Sequence, residues 1–204
     1  MYRLIVFLVI FLSKSIVNGQ SIRQLDSNRY WVGVPQMELY LTQARSVNSG
    51  KQLQSRWCWA ACIQMILNYH GLAVHQEDLV RQLYGTRWIN KGADEDQMLM
   101  ALNNWNGEQL GKPVNILAKG GLRSPEVLIK ALAYKWPLIV GLSKAEEHHA
   151  VVLTSIEYLV DQGRFIPLKV SLFDPWPDAP SNRDLTWPEF KQQCSAAIEI
   201  KLVR

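Results

Sequence analysis

Gln52-Leu53-Gln54-Ser55-Arg56-Trp57-Cys58-Trp59-Ala60-Ala61-Cys62-Ile63-Gln64-Met65-Ile66-Leu67-Asn68-Tyr69 is the stretch on which the reading of this chain turns. A polar segment gives way at Trp57 to a helical pattern that is apolar almost all round, interrupted only by Gln64 and Asn68, four apart and so on one face. A helix of that kind is buried in the middle of a domain, and His70-Gly71 supplies its stop. Cys58 falls at its start, where unpaired backbone N–H groups and the helix dipole favour an anion. A thiolate at that position is a nucleophile. Cys62, one turn further in, is expected to face the packed interior or a partner such as Cys194.

Outward from this helix the punctuation is physical. Glu77 and Asp78 open a helix over 77–84 that ends at Gly85. Asp94, Glu95 and Asp96 suit the positive end of a second, over 94–104. Ser124-Pro125-Glu126 reads as the cap and first two residues of a third, reaching about Tyr134. Beyond Trp136-Pro137 the pattern changes to short runs rich in Val, Ile and Leu: Leu138–Leu142, His149–Tyr158, Phe165–Phe173 and Ala196–Val203. Helices first and strands later indicate an α+β fold, a central buried helix packed on a mostly antiparallel sheet. Residues 20–50 read as mixed and polar with one apolar alternation around Val32–Leu41, and 85–93 and 106–123 as long connections on the rim of the site.

The chain has 204 residues, 48% hydrophobic and 20% charged, which excludes disorder, collagen-like repeats and coiled coils. Leu4 to Leu12 form an apolar run of nine, short of the ~20 residues of a membrane span. Arg3 before the run, and Val17 and Gly19 after it, give the layout of a signal peptide over 1–19, cleaved after Gly19. An uncleaved N-terminal anchor is the alternative. The expected product is then one domain over 20–204, secreted or periplasmic, monomeric and without stable membrane insertion. Loss of Arg3 and Lys14 leaves 20 basic against 18 acidic side chains, and no basic cluster stands in for a nucleic-acid surface. Three cysteines in an oxidising compartment suggest one pair and one free thiol; three reduced, buried cysteines are the alternative.

A thiolate nucleophile needs a base. His70 and His75 flank the helix stop and read as loop or surface residues. His148-His149 opens the strongest strand, and since consecutive strand residues point to opposite faces, only one of the two serves the thiolate. The next strand ends in Phe173-Asp174-Pro175-Trp176. A carboxylate there accepts the imidazole N–H and holds the ring in the useful tautomer, with Trp176 shielding the bond. The alternative is that Asp174-Pro175 only starts a turn.

Gln52, Trp57-Cys58-Trp59-Ala60-Ala61, His149-Ala150-Val151-Val152-Leu153 and Asp174-Pro175-Trp176, in that order and spacing, resemble the papain-like cysteine peptidases. The similarity is greatest to the compact bacterial branch that includes AvrRpt2-type effectors and bacteriocin-leader peptidases. It covers roughly residues 50–200. The third site departs from the papain pattern of Asn-x-Trp by carrying Asp. The resemblance implies a papain-like fold and a peptide or protein substrate. It also implies Cys58 as nucleophile, His149 rather than His148 as base, Asp174 as the ring's partner, and Gln52 in the oxyanion hole, with Gln54 the competitor.

Other chemistries find less support. The CxxC pairs of structural zinc and an HExxH helix are missing, so no metal or cofactor is expected. No Gly-x-Ser-x-Gly elbow or phosphate-binding loop occurs. Five of the eight tryptophans (57, 59, 136, 176 and 187) sit in or beside assigned elements, which favours core or cleft lining over a carbohydrate-binding face. Two alternatives keep the fold: an acyltransferase or transglutaminase, because the acceptor of an acyl-enzyme decides the reaction, and a papain-like interaction module without catalysis.

Overall fold

The computed structural model describes residues 21–35, 38–39, 50–105, 107–109, 112–121, 124–144, 147–178 and 180–203. The expected signal peptide lies outside these residues. Five helices are described: α1 (Cys58–Tyr69), α2 (Gln76–Tyr84), α3 (Glu95–Asn103), α4 (Pro125–Ala133) and α5 (Trp187–Gln193). Nine strands accompany them: β1 (Ile22–Gln24), β2 (Arg29–Gly33), β3 (Gly107–Gln109), β4 (Lys112–Lys119), β5 (Leu138–Lys144), β6 (Glu147–Asp161), β7 (Arg164–Phe173), β8 (Asn182–Thr186) and β9 (Cys194–Val203).

Every described strand pairing is antiparallel, along the path β1-β2-β6-β5-β9-β4-β3, with β7 and β8 branching from β6. Period-two alternation gives the sheet two apolar faces. Ile139, Ala150, Val152, Ile198 and Ile200 turn to one core, which they share with α1, α2 and α3. Leu138, Val140, Leu142, Val151, Leu153 and Ala197 turn to the other, against α4 and Phe190 of α5. From Trp59 to Leu67 every residue of α1 is buried, including Gln64, as its all-round apolar pattern requires. The fold is α+β with the buried helix on an antiparallel sheet.

Two expectations are corrected. Residues 106–123 are not a loose connection: Lys112–Lys119 is a strand paired with β9 along Asn115–Lys119, with Val114, Ile116 and Ala118 buried. Pro113 sits near the start of the strand, where a missing N–H is tolerated. Residues 20–50 also hold two strands, of which β2 pairs with the far half of β6 at Arg29–Gly33. Gly33 has φ +146, and a Cβ there would lie 2.2 Å from the Thr154 carbonyl oxygen, so only glycine permits that close approach.

Candidate active site

The site lies where the start of α1 meets the start of β6 and the end of β7. Cys58 is the first residue of α1 and is partly buried. Trp57 at the cap position makes no side-chain cap bond, and the first turn carries no acidic residue. The other four helices have a capping side chain or an acid there: Glu77 and Asp78 in α2, Asp94 in α3, Ser124 in α4, Thr186 in α5. At α1 the unpaired N–H groups and the positive dipole end therefore meet no competing carboxylate from their own helix.

β7 runs antiparallel to β6 with Phe173 opposite Val152, so the chain leaves the sheet at Asp174 beside the mouth of β6. There His149 Nε2 meets Asp174 Oδ1 at 2.7 Å. The same carboxylate oxygen accepts the Trp176 backbone N–H at 2.9 Å, and the Trp176 ring stands edge-on to the imidazole with centroids 6.3 Å apart. Asp174 is 6% exposed, and its hydrogen bonds prevail over burial to hold its pKa below the ordinary 3.8. Burial pulls the His149 ring down, but hydrogen bonds to Asp174 and to the Cys58 sulfur outweigh it and push the ring up to about 9. With Nε2 committed to Asp174, Nδ1 is the ring atom left to face Cys58. His148 is exposed and meets Ser143 Oγ, its cross-strand partner, at 2.8 Å.

Gln52 is 4% exposed, whereas Gln54 is exposed. One Gln52 amide N–H donates to the Gln54 carbonyl at 2.9 Å, and its backbone N–H donates to the Pro175 carbonyl at 2.9 Å. Gln52 Oε1 is buried with no hydrogen-bond partner among the described residues. An amide carries two N–H donors, so a second remains beyond the bond to Gln54. Lys51 ties the same segment to the Asp174 turn, its Nζ donating to the Trp176 carbonyl at 2.7 Å. Sequence reasoning passed over Lys51, since a lone lysine in a polar stretch carries no signal.

No disulfide joins Cys58, Cys62 and Cys194, which overturns the expectation of one pair. Cys62 is fully buried in the core on the α1 side, and Cys194 packs against the opposite core, so the sheet separates them. Trp57 and Trp59 are buried and donate their indole N–H groups to the Ile89 and Lys91 carbonyls, tying the 85–91 loop to the start of α1. Among the described residues no three His, Cys, Asp or Glu side chains gather as a metal site.

This architecture is the papain-like one. The peptidase domain of Streptococcus ComA, a bi-functional ABC transporter involved in a quorum-sensing pathway, superposes with a TM-score of 0.51 at 16% identity, over 75% of this chain and 95% of that domain. A procathepsin B from Trypanosoma congolense gives 0.50 at 10% identity, over 83% of this chain and 75% of that one. No curated protein sequence matches the chain. The family described as papain-like cysteine protease AvrRpt2 matches residues 41–195, and the chain belongs to that family. It is a cysteine peptidase, acting on peptide or protein substrates. No described helix is long and apolar enough to cross a membrane.

Proposed function

We propose that the chain is an exported thiol peptidase in which Cys58 attacks the substrate carbonyl, His149 carries the proton, Asp174 holds the ring and Gln52 stabilises the oxyanion. The observation that carries this reading is the 2.7 Å bond from His149 Nε2 to Asp174 Oδ1, with Cys58 at the start of α1 among the groups that raise the same ring. A ring pushed up to about 9 holds its proton at neutral pH, and in the proposed step Cys58 Sγ attacks beside this imidazolium in its thiolate form, the form that the start of a helix favours. The carbonyl electron pair moves to oxygen, where the second Gln52 amide N–H and the Cys58 backbone N–H receive it. One such donor lowers the barrier by about 3 kcal/mol. His149 then gives its proton to the departing amine as the C–N bond breaks, leaving a thioester on Cys58. Water attacks the thioester, the ring takes the water proton, the C–S bond breaks with its electron pair returning to Cys58 Sγ, and the acid leaves. Asp174 stays ionised throughout and keeps the ring in register.

The nine-residue apolar run supports export, with cleavage after Gly19 and a monomeric single domain over 20–204 as the mature enzyme. Digestion of casein and of a peptide library, with and without an added primary amine, tests the reaction. Hydrolysis products that persist unchanged with the amine, and vanish in His149→Ala, are expected. Amine-capped products alone would assign acyl transfer instead, and full activity in His149→Ala would refute the proton carrier. Expression of the full chain in a secreting host should give a product beginning at Gln20; retention of residues 1–19 would refute cleavage.

A further inference from the structure

We propose that Gln76, the first residue of α2, is a positioning residue that fixes Gln52 against the start of α1; this rests on the oxyanion role given to Gln52 above. Gln76 is fully buried, although it opens an amphipathic helix where a polar residue ordinarily meets water. A buried primary amide is costly unless its donors and acceptors are used. Gln76 Oε1 accepts the Leu53 backbone N–H at 3.0 Å, and Gln76 Nε2 donates to the Lys51 carbonyl at 2.8 Å. These two groups flank Gln52. The carbonyl of the preceding residue and the N–H of the following one are what a neighbouring strand takes up when it bridges to a chain, so this one side chain acts as a single-residue β-bridge. The pairing needs a donor and an acceptor on one planar group, which a glutamine supplies and a glutamate does not.

The other end of the network returns to the nucleophile's helix. Gln76 Nε2 also donates to Gln64 Oε1 at 3.0 Å, and Gln64 Nε2 donates to the Val74 carbonyl at 2.8 Å. Gln64 lies on α1 itself, six residues beyond Cys58, and is 1% exposed. Residues 51–57 belong to neither helix nor strand, so nothing in regular structure sets where Gln52 stands. Its own backbone N–H is taken by the Pro175 carbonyl, and the two bonds on either side both go to Gln76. A buried glutamine that merely satisfied its own amide could pair with any backbone. This one pairs on both sides of Gln52 and with α1. An oxyanion donor acts only when held near 3 Å from the developing charge, and displacement of a positioned group by about 1 Å costs up to about a hundredfold in rate.

The test compares Gln76→Met, Gln76→Asn and Gln52→Ala in the full chain. The readouts are kcat and KM on a fluorogenic peptide, the rate of Cys58 alkylation by iodoacetamide, and amide hydrogen exchange at Leu53. Alkylation passes through no oxyanion, so it reports the thiolate without the oxyanion hole. Gln76→Met is expected to lower kcat about 10- to 100-fold while KM and the alkylation rate stay within about twofold. Gln76→Asn, with the amide kept but one carbon shorter, should fall between Met and wild type. Combining Gln76→Met with Gln52→Ala should be no slower than Gln52→Ala alone. Unchanged kcat, parallel loss of kcat and alkylation, or multiplied losses in the double variant would each overturn the proposal. Should neither Gln76 variant fold, exchange in the wild type decides: a protected Leu53 N–H supports the bridge, and exchange at the rate of a free loop overturns it. Full kcat in Gln52→Ala would instead refute the oxyanion reading and leave the bridge itself visible in the exchange data.

Discussion

Replacing Asp174 by Asn separates the two things its carboxylate does. An amide oxygen in the same place still accepts the His149 Nε2–H and the Trp176 N–H, so the ring stays oriented, but the negative charge is gone. His149 is pushed up to about 9 by Asp174 first and Cys58 second, against burial that acts the other way. Asp174 comes before Cys58 among the upward influences, which together overcome burial and lift the ring from 6.5. Its loss should lower the ring by at least about one pH unit, or about 1.4 kcal/mol of support for the imidazolium. In the proposed mechanism the imidazolium donates the proton to the leaving amine, so the alkaline limb of kcat/KM should report the free enzyme's Cys–His pair as a unit. Wild type should hold its activity to near pH 9, while Asp174→Asn should lose it at least about one unit lower. Near pH 6 the two should differ far less. An internally quenched peptide assayed from pH 5 to 10 checks this. An alkaline limb that does not move would refute the electrostatic role, and loss of activity equal at every pH would mean that Asn fails to hold the ring.

Further outcomes follow from the same geometry. Gln52→Ala should lower kcat by about 10²–10³ with little change in KM, whereas Gln54→Ala should be near neutral, because Gln52 bonds only to the Gln54 backbone carbonyl; steady-state kinetics on both variants discriminates them. His148→Ala should retain activity and shift stability by no more than about 0.5 kcal/mol, since its ring is exposed against Ser143; a chemical-denaturation curve and a turnover assay suffice. The Asp174–His149 pair should also shape stability against pH. A depressed carboxyl contributes above about 3.8 and a raised imidazole contributes fully below about 6.5, lost as pH rises through about 9. The Tm gap between wild type and Asp174→Ala should therefore be widest between pH 4 and 6.5 and narrow as pH rises through about 9, to what the Trp176 bond alone contributes, as measured by calorimetry.

Which parts of this were legible depends on whether the governing signal was local. α1 was legible because a helix apolar on all sides has nowhere to lie but a core. α3 and α4 were legible because Asp94 and Ser124 cap them with side-chain bonds to the N3 backbone N–H groups. β4 went unread inside the 106–123 connection, although Val114, Ile116 and Ala118 alternate as a half-buried strand should. α5 has seven residues, too few to display a period, and only the capping box from Thr186 to Glu189 marks it. In the site, the proximity of His149 and Asp174 follows from neighbouring antiparallel strands, which local pattern can suggest. The links from Gln76 to Lys51 and Leu53 span 25 and 23 positions between segments with no shared pattern, and a first-turn glutamine looks like any solvated one. The separation of Cys62 from Cys194 likewise depends on which sheet face each meets, which spacing does not encode.

In the proposed mechanism Cys58 carries the acyl group. Rapid acid quenching of the enzyme during turnover of an activated peptide ester, followed by peptide mapping by mass spectrometry, tests it most directly. An acyl adduct is expected on Cys58 alone, with none on the buried Cys62 or on Cys194, and no turnover in Cys58→Ala. An adduct on another residue, or turnover that persists in Cys58→Ala, would contradict it.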